Sequence, residues 1–380
     1  MLTVVHLITG LETGGAEGML ARLVARCDSA RLRSAVVSLT QPGMVGQAIV
    51  EVGVPLFSLG MRRGVPDPRG LLRLRRVLRA WRPQVLQTWL YHADLLGLVA
   101  WRFGWAPHLV WNLRCTEMME SGWLTGLLAR GSGLPDAIVV NSREGRRVHE
   151  ALGYRPRRWV YLPNGFDTAA LRPDPAGGRR QRQALGIADD AFVVLLPARW
   201  HKMKDHATFL AAAARFAAAH PAACFALAGS GIDPANRALA DVIAAHGLAD
   251  RVLLLGERRD LGAIYPAADI VTVSSAFGEG FPNVLGEAMS CGIPCAATAI
   301  GDAAEIVGEA GIVVPPRDPA ALAAAWERLA ALGPEGRRAL GAQARARVVE
   351  NYDLAAIARR YEALYETIAR GDAIAQEAPA

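Results

Sequence analysis

Short apolar runs of strand length alternate with amphipathic segments of helical period along almost the whole chain. In the first half the predicted strands are Leu2–Thr9, Ser34–Ser38, Val54–Ser58, Val85–Thr88, His108–Trp111, Ala137–Asn141 and Trp159–Leu162. In the second half they are Phe192–Pro197, Cys224–Ala228, Val252–Leu255, Ile270–Ser274 and Pro294–Thr298. Because parallel strands need a crossover connection, usually a helix, this alternation predicts parallel α/β sheets covered by helices. A chain of 380 residues can form two such domains.

A stretch rich in proline and glycine, Leu171 to Gly186, is predicted to link the two domains. We therefore expect one domain over residues 1–168 and a second over residues 169–352. Residues 353–370 form a predicted helix with an apolar stripe, which must be buried against a domain. Residues 371–380 are predicted to be a disordered tail.

The charges are distributed unevenly between the two halves. Residues 1–168 hold 21 Arg against 12 acidic residues, a net charge of +9, whereas residues 169–380 have a net charge of −3. No basic block interleaved with aromatic residues occurs, which disfavours nucleic acid and makes an anionic membrane surface the better partner. The five cysteines form no C-x-x-C pair, so neither a disulfide framework nor a zinc site is indicated. Without a bilayer-spanning apolar run or a signal-peptide pattern, we expect a cytoplasmic protein.

One segment of the second half carries most of the functional information. It reads SSAFGEGFPNVLGEAM from Ser274 to Met289 and follows a buried strand. Pro282 suits the first turn of a helix, and the free amide groups at a helix start bind anions. Glu279 on the preceding loop and Glu287 about one turn inside the helix can therefore flank a ligand at different depths.

This Glu-x7-Glu pattern, followed by Ala-Met and Gly-x-Pro, resembles the hallmark of retaining glycosyltransferase family 4. The resemblance implies the GT-B fold, with two Rossmann-like domains, a cleft between them and a C-terminal helix that returns to the first domain. It implies that Glu279 contacts the donor sugar and that Glu287 binds the ribose hydroxyls. It also implies that the loop amides around four residues face the sugar and diphosphate: Phe281, Asn283, Val284 and Leu285. The alternative is a loop whose glutamates are solvated surface charges.

The segment PARWHKMKDH resembles the family signature G-R-L-x-x-x-K, with alanine and tryptophan in place of the glycine and leucine. Arg199 ends a strand and Lys204 lies near the next helix, so the two can clamp the donor diphosphate and stabilise the charge that builds on it as it leaves. Metal-dependent transferases of the other major fold use a D-x-D motif for this task. None occurs in this chain, so we expect no metal ion and no cofactor. A basic surface loop is the alternative.

Glycines mark two further segments that resemble the family. Gly229 lies in a Gly-x-Gly turn after a strand, where the backbone passes close to the nucleotide. Gly14 and Gly15 belong to a Gly-Gly-Ala-Glu loop whose amides approach the donor phosphates and sugar. This loop is not a G-x-G-x-x-G fingerprint, which disfavours a nicotinamide enzyme. Simple tight turns are the alternative in both places. Arg258 and Arg259 lie in a segment that resembles one near the base in the family, and one of them is expected to stack on the base, with surface placement as the alternative.

Many family members carry His-x-His at a strand end, with one histidine beside the donor sugar. Here those positions are Gln87 and Trp89, and the run YHAD that follows resembles the capsule and exopolysaccharide branch of the family. We therefore expect His92 to be the histidine near the sugar, with a capping or packing role as the alternative. Arg114, after the next strand, is expected to contact the acceptor or the donor.

Residues Arg69 to Arg82 form a predicted basic amphipathic helix. This composition fits an interfacial helix on anionic lipid, and it also fits a core-packed helix with a solvated arginine face. Since many acceptors in the family are lipid-linked sugars, the resemblance favours a position at the inner face of the membrane.

The expected function is transfer of a sugar from a UDP- or GDP-sugar to a hydroxyl of a glycan or lipid-linked acceptor, with retention of anomeric configuration, in polysaccharide or glycoconjugate biosynthesis. On this interpretation Glu279 positions the sugar and does not form a covalent intermediate. The alternatives are a GT-B sugar-nucleotide epimerase or hydrolase and a non-catalytic sugar-nucleotide-binding scaffold.

Overall fold

The chain forms two compact units in a computed structural model that describes residues 1–12, 14–62, 65, 67–116 and 122–372. The N-terminal unit contains Met1–Gly165 and the chain from Leu354 onward, and the C-terminal unit contains Phe166–Asp353. Each unit is a parallel sheet covered by helices, as the alternation of apolar runs predicts. From residue 373 on, the predicted tail lies outside the described residues.

Within the described part of the N-terminal unit, seven parallel strands lie in the order β3-β2-β1-β4-β5-β6-β7. The strands are β1 Leu2–Ile8, β2 Leu32–Ser38, β3 Leu56–Ser58, β4 Val85–Trp89, β5 His108–Leu113, β6 Ala137–Val140 and β7 Trp159–Tyr161. The helices are α1 Gly15–Arg26, α2 Met44–Glu51, α3 Pro68–Trp81, α4 Tyr91–Arg102, α5 Gly122–Gly131 and α6 Arg143–Ala151, with Leu354–Arg370 at the C-terminal end.

Helices cover both faces of this sheet, which is why its strands read as continuous apolar runs. Helix α1 and the C-terminal helix lie over one face, where Leu20 and Tyr361 pack in one cluster with Val4 of β1. Helices α3, α4 and α5 cover the other face, and Leu74 and Leu128 are fully buried there. The C-terminal helix therefore returns to the N-terminal unit, as expected for the fold.

Within the C-terminal unit, six parallel strands lie in the order β10-β9-β8-β11-β12-β13. The strands are β8 Phe192–Pro197, β9 Ala223–Ala228, β10 Val252–Leu254, β11 Ile270–Val273, β12 Cys295–Thr298 and β13 Gly311–Val314. The helices are α7 Pro175–Ala184, α8 His206–Ala219, α9 Arg237–Ala245, α10 Leu261–Ile264, α11 Asn283–Ser290, α12 Ala303–Val307, α13 Pro319–Ala331 and α14 Gly333–Tyr352, so that the C-terminal helix is α15. Strand β13, Gly311–Val314, is absent from the sequence prediction.

The prediction of a linker over Leu171–Gly186 is wrong, since α7 occupies Pro175–Ala184. The side chain of Asp174 caps this helix by accepting a hydrogen bond from the amide three residues later, at 2.8 Å. Gly178 allows close packing, because a Cβ at this position would lie 2.1 Å from the carbonyl oxygen of Pro266. The glycine therefore marks a tight contact between two elements and not a flexible connection.

Candidate active site

The strand order of each sheet changes direction once, between β1 and β4 in the N-terminal unit and between β8 and β11 in the C-terminal unit. In open parallel sheets, ligands bind outside the carboxyl ends of the strands at such a switch point. The predicted site residues all follow carboxyl ends: Gly14 and Gly15 follow β1, His92 follows β4, Arg114 follows β5, Arg199 and Lys204 follow β8, Gly229 follows β9, Arg258 follows β10, and Glu279 to Glu287 follow β11.

Glu279 and Lys204 meet at the switch point of the C-terminal unit. The Lys204 ammonium donates a hydrogen bond to Oε1 of Glu279, and the Ser275 hydroxyl donates to the same oxygen at 2.7 Å. The two charged side chains are only 20% and 11% exposed, respectively, so solvent screens this ion pair less than it screens a surface pair. Lys204, which was expected to contact the diphosphate, therefore also orients the carboxylate that was expected to contact the sugar.

The loop that carries Glu279 is held by a turn after β12. Gly301 has a φ of +60°, and a Cβ there would lie 2.4 Å from the carbonyl oxygen of Glu279. The amide of Asp302 donates to the Gly280 carbonyl at 2.9 Å. Only glycine permits both this backbone conformation and this close approach. The turn therefore holds the backbone of the Glu279 loop in place.

Glu287 lies in α11, one turn after the N-terminus of the helix. Pro282 is the residue just before the helix and not part of its first turn, which is a small correction to the prediction. Oε2 of Glu287 accepts a hydrogen bond from the hydroxyl of Tyr265 at 2.7 Å. Burial raises the pKa of this tyrosine well above its usual value, and the neighbouring carboxylate raises it further, so the phenol stays protonated and donates.

The four residues predicted around the diphosphate have different surroundings. The Phe281 ring is buried and stacks on Phe166 with 6.2 Å between the ring centroids. Leu285 is fully buried, and its amide donates to the carbonyl of Pro282 at 3.1 Å, within the first turn of α11. Asn283 and Val284 are half-buried at the helix start. Phe281 and Leu285 thus anchor the helix with their side chains, and a contact of any of the four amides with a phosphate stays a prediction.

Arg199 and Gly229 follow neighbouring strands, β8 and β9. Arg199 is exposed, and within the described parts of the chain its guanidinium has no hydrogen-bond or ion-pair partner. Gly229 has a φ of +151°, and a Cβ there would lie 2.4 Å from the carbonyl oxygen of Ala198. The glycine is therefore required where the two backbones approach each other beside Arg199.

Arg258 forms a two-pronged ion pair with Asp260 on the loop after β10. Its Nε and a terminal nitrogen donate to the two carboxylate oxygens at 2.8 and 2.7 Å. The charge-assisted bonds with Arg258 lower the pKa of Asp260. The pair fixes the plane of the guanidinium, and stacking on a base stays a prediction.

In the N-terminal unit, Gly14 is the residue just before α1 and Gly15 is the first residue of the helix, while Thr13 lies outside the described residues. A Cβ at Gly14 would lie 2.2 Å from a carboxylate oxygen of Glu17, so this carboxylate lies over the glycine backbone. A cavity of about 340 Å³ adjoins this loop, and Glu12 and Glu17 are among the residues that line it. The helix start predicted to face phosphates thus lies beside two carboxylates.

His92 is the second residue of α4 and is half-buried. The chain reaches it through Leu90, a non-glycine residue with a φ of +73°. Such a backbone conformation is strained for a leucine and is often found at functional sites. A contact between His92 and the donor sugar stays a prediction.

Arg114 is held within the N-terminal unit by several partners. Its Nε donates to Oδ1 of Asn112 at 3.0 Å, and its terminal nitrogens donate to Oδ1 of Asn164 and to the hydroxyl of Tyr361 in α15. The guanidinium also lies over the Trp89 ring, 4.8 Å from its centroid. These contacts give Arg114 a structural role that sequence reasoning missed, and its contact with a substrate stays a prediction.

Comparisons with known protein families match a glycosyltransferase model to each half of the chain. A sequence model described as Glycosyltransferase Family 4 matches residues 13–170, and one described as Glycosyl transferases group 1 matches residues 191–331. Together they cover most of the chain. The chain belongs to glycosyltransferase family 4.

Solved structures agree with the fold. The family 4 chain resembles HepE of Anabaena, solved in complex with UDP, with a TM-score of 0.85 and 22% identity over 96% of this chain and 100% of that one. Sucrose-phosphate synthase from Thermosynechococcus elongatus gives a TM-score of 0.79 and 20% identity over 97% of this chain and 100% of that one. The predicted GT-B fold is confirmed.

Among curated relatives, the D-inositol 3-phosphate glycosyltransferase of Geodermatophilus obscurus is 34% identical over 233 residues, which are 57% of this chain and 51% of that protein. The putative glycosyltransferase EpsF of Bacillus subtilis is 25% identical over 308 residues, covering 77% of this chain and 78% of EpsF. The family 4 chain thus spans about half the length of the inositol-phosphate enzymes that it matches.

Helix α3 bears on the membrane prediction for this family 4 chain. Leu74 and Leu78 are fully buried against the sheet, so the apolar stripe of the helix is core-packed, which was one of the two alternatives.

None of the helices within the described ranges has the length and hydropathy needed to cross a membrane. The same ranges contain no group of three or more His, Cys, Asp or Glu side chains arranged to hold a metal ion.

Sequence reasoning missed two site residues of the family 4 chain, Ser275 and Tyr265. Both are fully buried and each donates a hydrogen bond to one glutamate of the Glu-x7-Glu pair. Ser275 stood within the quoted motif, where a serine four residues before Glu279 was a usable signal. Tyr265 is 22 residues from Glu287, and only the packing of the turn after α10 against α11 brings them together.

Proposed function

We propose that the chain transfers a sugar from a nucleoside diphosphate sugar to a hydroxyl group of an acceptor, with retention of anomeric configuration. The observation that carries this proposal is the meeting of Lys204 and Glu279 at the switch point of the C-terminal unit, with Glu287 on the helix that follows. A cation and two carboxylates at the carboxyl ends of strands suit a ligand that has both a diphosphate and hydroxyl groups. Membership of family 4 supports the same chemistry.

Each of these groups has a distinct role in the proposed transfer. Arg199 binds the diphosphate as a fork and Lys204 as a point charge, and both stabilise the negative charge that develops when the glycosidic bond breaks. Glu279 accepts hydrogen bonds from sugar hydroxyls and sets the position of the anomeric carbon. Glu287 accepts from the ribose hydroxyls, and His92 lies beside the donor sugar.

For the donor we propose a UDP- or GDP-sugar, bound without a metal ion or other cofactor. HepE, which has the same fold, has been solved with UDP and with UDP-glucose, and this favours uridine as the first base to test. Thermal unfolding in the presence of a panel of sugar nucleotides tests the proposal, because a ligand that binds only the folded state raises the melting temperature. We expect UDP- or GDP-sugars to give a shift that persists in EDTA. No shift with any sugar nucleotide, or a shift that requires a divalent ion, would contradict this part of the proposal.

For the acceptor we propose a glycan or lipid-linked sugar in polysaccharide or glycoconjugate biosynthesis. Release of nucleoside diphosphate with and without glycan acceptors measures transfer against hydrolysis. We expect release to depend on acceptor, and product analysis by NMR to give the anomeric configuration of the donor. Equal rates without acceptor would indicate a hydrolase or epimerase.

We also propose that the N-terminal unit associates with an anionic membrane surface from the cytoplasmic side. Helices α3, α4 and α5 cover one face of its sheet, and their outer sides expose apolar residues: Leu72 is 56% exposed, Phe103 at the end of α4 is 65% exposed and Trp123 is 69% exposed. Exposed arginines accompany them: Arg73, Arg76, Arg79, Arg102 and Arg130. Amphipathic aromatic groups beside arginine suit an interface with anionic lipid.

Sedimentation with vesicles of phosphatidylglycerol or phosphatidylcholine tests this association. We expect binding to phosphatidylglycerol that falls at high salt, and at least a threefold loss of binding in Trp123→Ser. Val50→Ser is the matched control, because Val50 is 57% exposed on α2, away from the face covered by α3 to α5. Equal binding to both vesicle types, or an equal effect of both substitutions, would contradict the proposed surface.

A further inference from the structure

We propose that Tyr265 is a positioning residue for the donor nucleotide, which holds Glu287 in the orientation that binds ribose and thereby sets the preference for ribose over a sugar that lacks the 2′- and 3′-hydroxyls. The inference rests on the proposed function, since it concerns the same nucleotide site. Nothing in the Glu-x7-Glu pattern includes this tyrosine, which lies outside the motif.

Tyr265 is buried in a tightly packed turn. The residue begins the 3₁₀ turn Tyr265–Ala267 between α10 and β11, and it is fully buried. Helix α7 packs closely on this turn, because Gly178 allows its backbone to approach the carbonyl of Pro266. The hydroxyl donates to Oε2 of Glu287 at 2.7 Å. A buried ring in a packed turn has one orientation available, so it imposes that orientation on the carboxylate.

The chemistry of the pair makes the hydrogen bond one-directional. Burial raises the pKa of Tyr265 well above its usual value, so at neutral pH the phenol is protonated and donates, and the carboxylate of Glu287 accepts. Two vicinal hydroxyls of a ribose bind best to a carboxylate whose plane is fixed before the ligand arrives, because no rotamer entropy is then lost on binding. Without the phenol, the Glu287 side chain would lose this constraint, while the base and diphosphate contacts would remain.

Titration calorimetry with UDP and GDP, and with the 2′,3′-dideoxy form of whichever binds, tests the inference on the full chain. In Tyr265→Phe we expect the affinity for the ribonucleotide to fall about 10-fold, which corresponds to the lower limit for a hydrogen bond to a charged group. The affinity for the dideoxynucleotide is expected to stay within twofold of the wild-type value. A merely structural role of Tyr265 would weaken both nucleotides equally, and that result would overturn the inference.

Two further variants locate the effect. Tyr154→Phe is the matched control, because Tyr154 is fully buried but its hydroxyl has no hydrogen-bond partner among the described residues, and we expect it to change neither affinity. In a Glu287→Gln background, Tyr265→Phe is expected to have no further effect on the ratio of the two affinities. If Tyr265→Phe still changed the ratio of the two affinities in that background, the inference would be overturned, although the proposed nucleotide site would stand. Failure of wild type to bind either nucleotide would instead refute the proposed function itself.

Discussion

The two sheets are wound in the same order, yet their switch points hold different side chains. In the C-terminal unit, the ends of β8 and β11 lead to a partly exposed ion pair between Lys204 and Glu279. In the N-terminal unit, the end of β4 carries Gln87 and Trp89, which are both fully buried.

Helix α15 holds this buried end of β4. The Tyr365 hydroxyl donates to Oε1 of Gln87, and the indole nitrogen of Trp89 donates to Nδ1 of His6 at 3.4 Å. Gln87 and Trp89 occupy the positions where relatives were expected to carry histidines. We infer that Gln87 and Trp89 serve the scaffold here, whereas Lys204 and Glu279 serve the chemistry. Changes at the C-terminal switch point should then remove activity, whereas changes at the N-terminal one should reduce stability.

The largest effect is expected from Glu279→Gln. Loss of the negative charge removes the partner of Lys204 and the acceptor for sugar hydroxyls, so we expect kcat to fall about 100- to 1000-fold. Initial rates of nucleoside diphosphate release with acceptor present measure this effect. The control is Glu309→Gln, an exposed carboxylate of the same unit, which should retain full activity. Activity of Glu279→Gln within threefold of wild type would refute the placement of chemistry in this unit.

A smaller, structural effect is expected from Gly229→Ala. Alanine at a φ of +151° is strained, and its Cβ would lie 2.4 Å from the Ala198 carbonyl oxygen, so we expect a loss of about 2 to 4 kcal/mol of stability. Gly53→Ala in the N-terminal unit is the control: its φ is +80°, nothing lies within 4 Å of the new Cβ, and the loss should be about 1 kcal/mol. Calorimetric unfolding of both variants measures the difference, and equal losses would show that the backbone contact beside Arg199 has no energetic weight.

Acid should weaken both units over the same pH range. Burial lowers the pKa of His6 to about 4, and burial also lowers the pKa of His206 in the C-terminal unit to about 4. The unfolded chain, with a histidine pKa near 6.5, binds more protons than the folded chain between these values. The contribution of each buried histidine to the free energy of unfolding is therefore fully present above pH 6.5. It is lost as the pH falls towards 4, by about 3 kcal/mol for a fully buried histidine.

Melting temperatures of wild type and His6→Gln between pH 7.5 and 4.5 check this expectation. The variant should show a flatter pH dependence than wild type and an unchanged affinity for the donor at pH 7.5. An identical pH dependence would show that His6 does not contribute to the acid sensitivity.

The smallest effect is expected from Tyr365→Phe, which removes the hydrogen bond to Gln87. The buried amide then loses a partner, and we expect a loss of about 1 to 2 kcal/mol of stability with no change in donor affinity. Tyr154→Phe, whose hydroxyl has no partner among the described residues, should be nearly neutral. Weaker donor binding in Tyr365→Phe would break the contrast between the two switch points.

The sequence predicted the sheets well because strands buried on both faces leave continuous apolar runs, as in Phe192–Pro197, where the predicted and observed bounds agree. It failed over Leu171–Gly186 because glycine signals both flexibility and close packing, and only the approach of Gly178 to Pro266 distinguishes the two. The prediction also missed β13 at the edge of the C-terminal sheet.

For the site, the motifs identified which residues follow which strands but not the contacts between them. Lys204 and Glu279 are 75 residues apart, and they meet because β8 and β11 are neighbours in the sheet. That neighbour relation comes from the winding order, which the local pattern does not contain. Tyr265 and Glu287 lie on either side of the same strand, β11, and only the packing of the turn before it against α11 brings them together, so the tyrosine gave no signal in the sequence.

The decisive experiment is a crystal structure of the chain with the nucleoside diphosphate of its donor bound. We expect both phosphates within hydrogen-bond distance of Arg199 and Lys204, the ribose hydroxyls on Glu287, and no metal ion between them. A diphosphate that lies away from both cations, or that is ordered around a divalent ion, would refute the donor site proposed for the C-terminal unit.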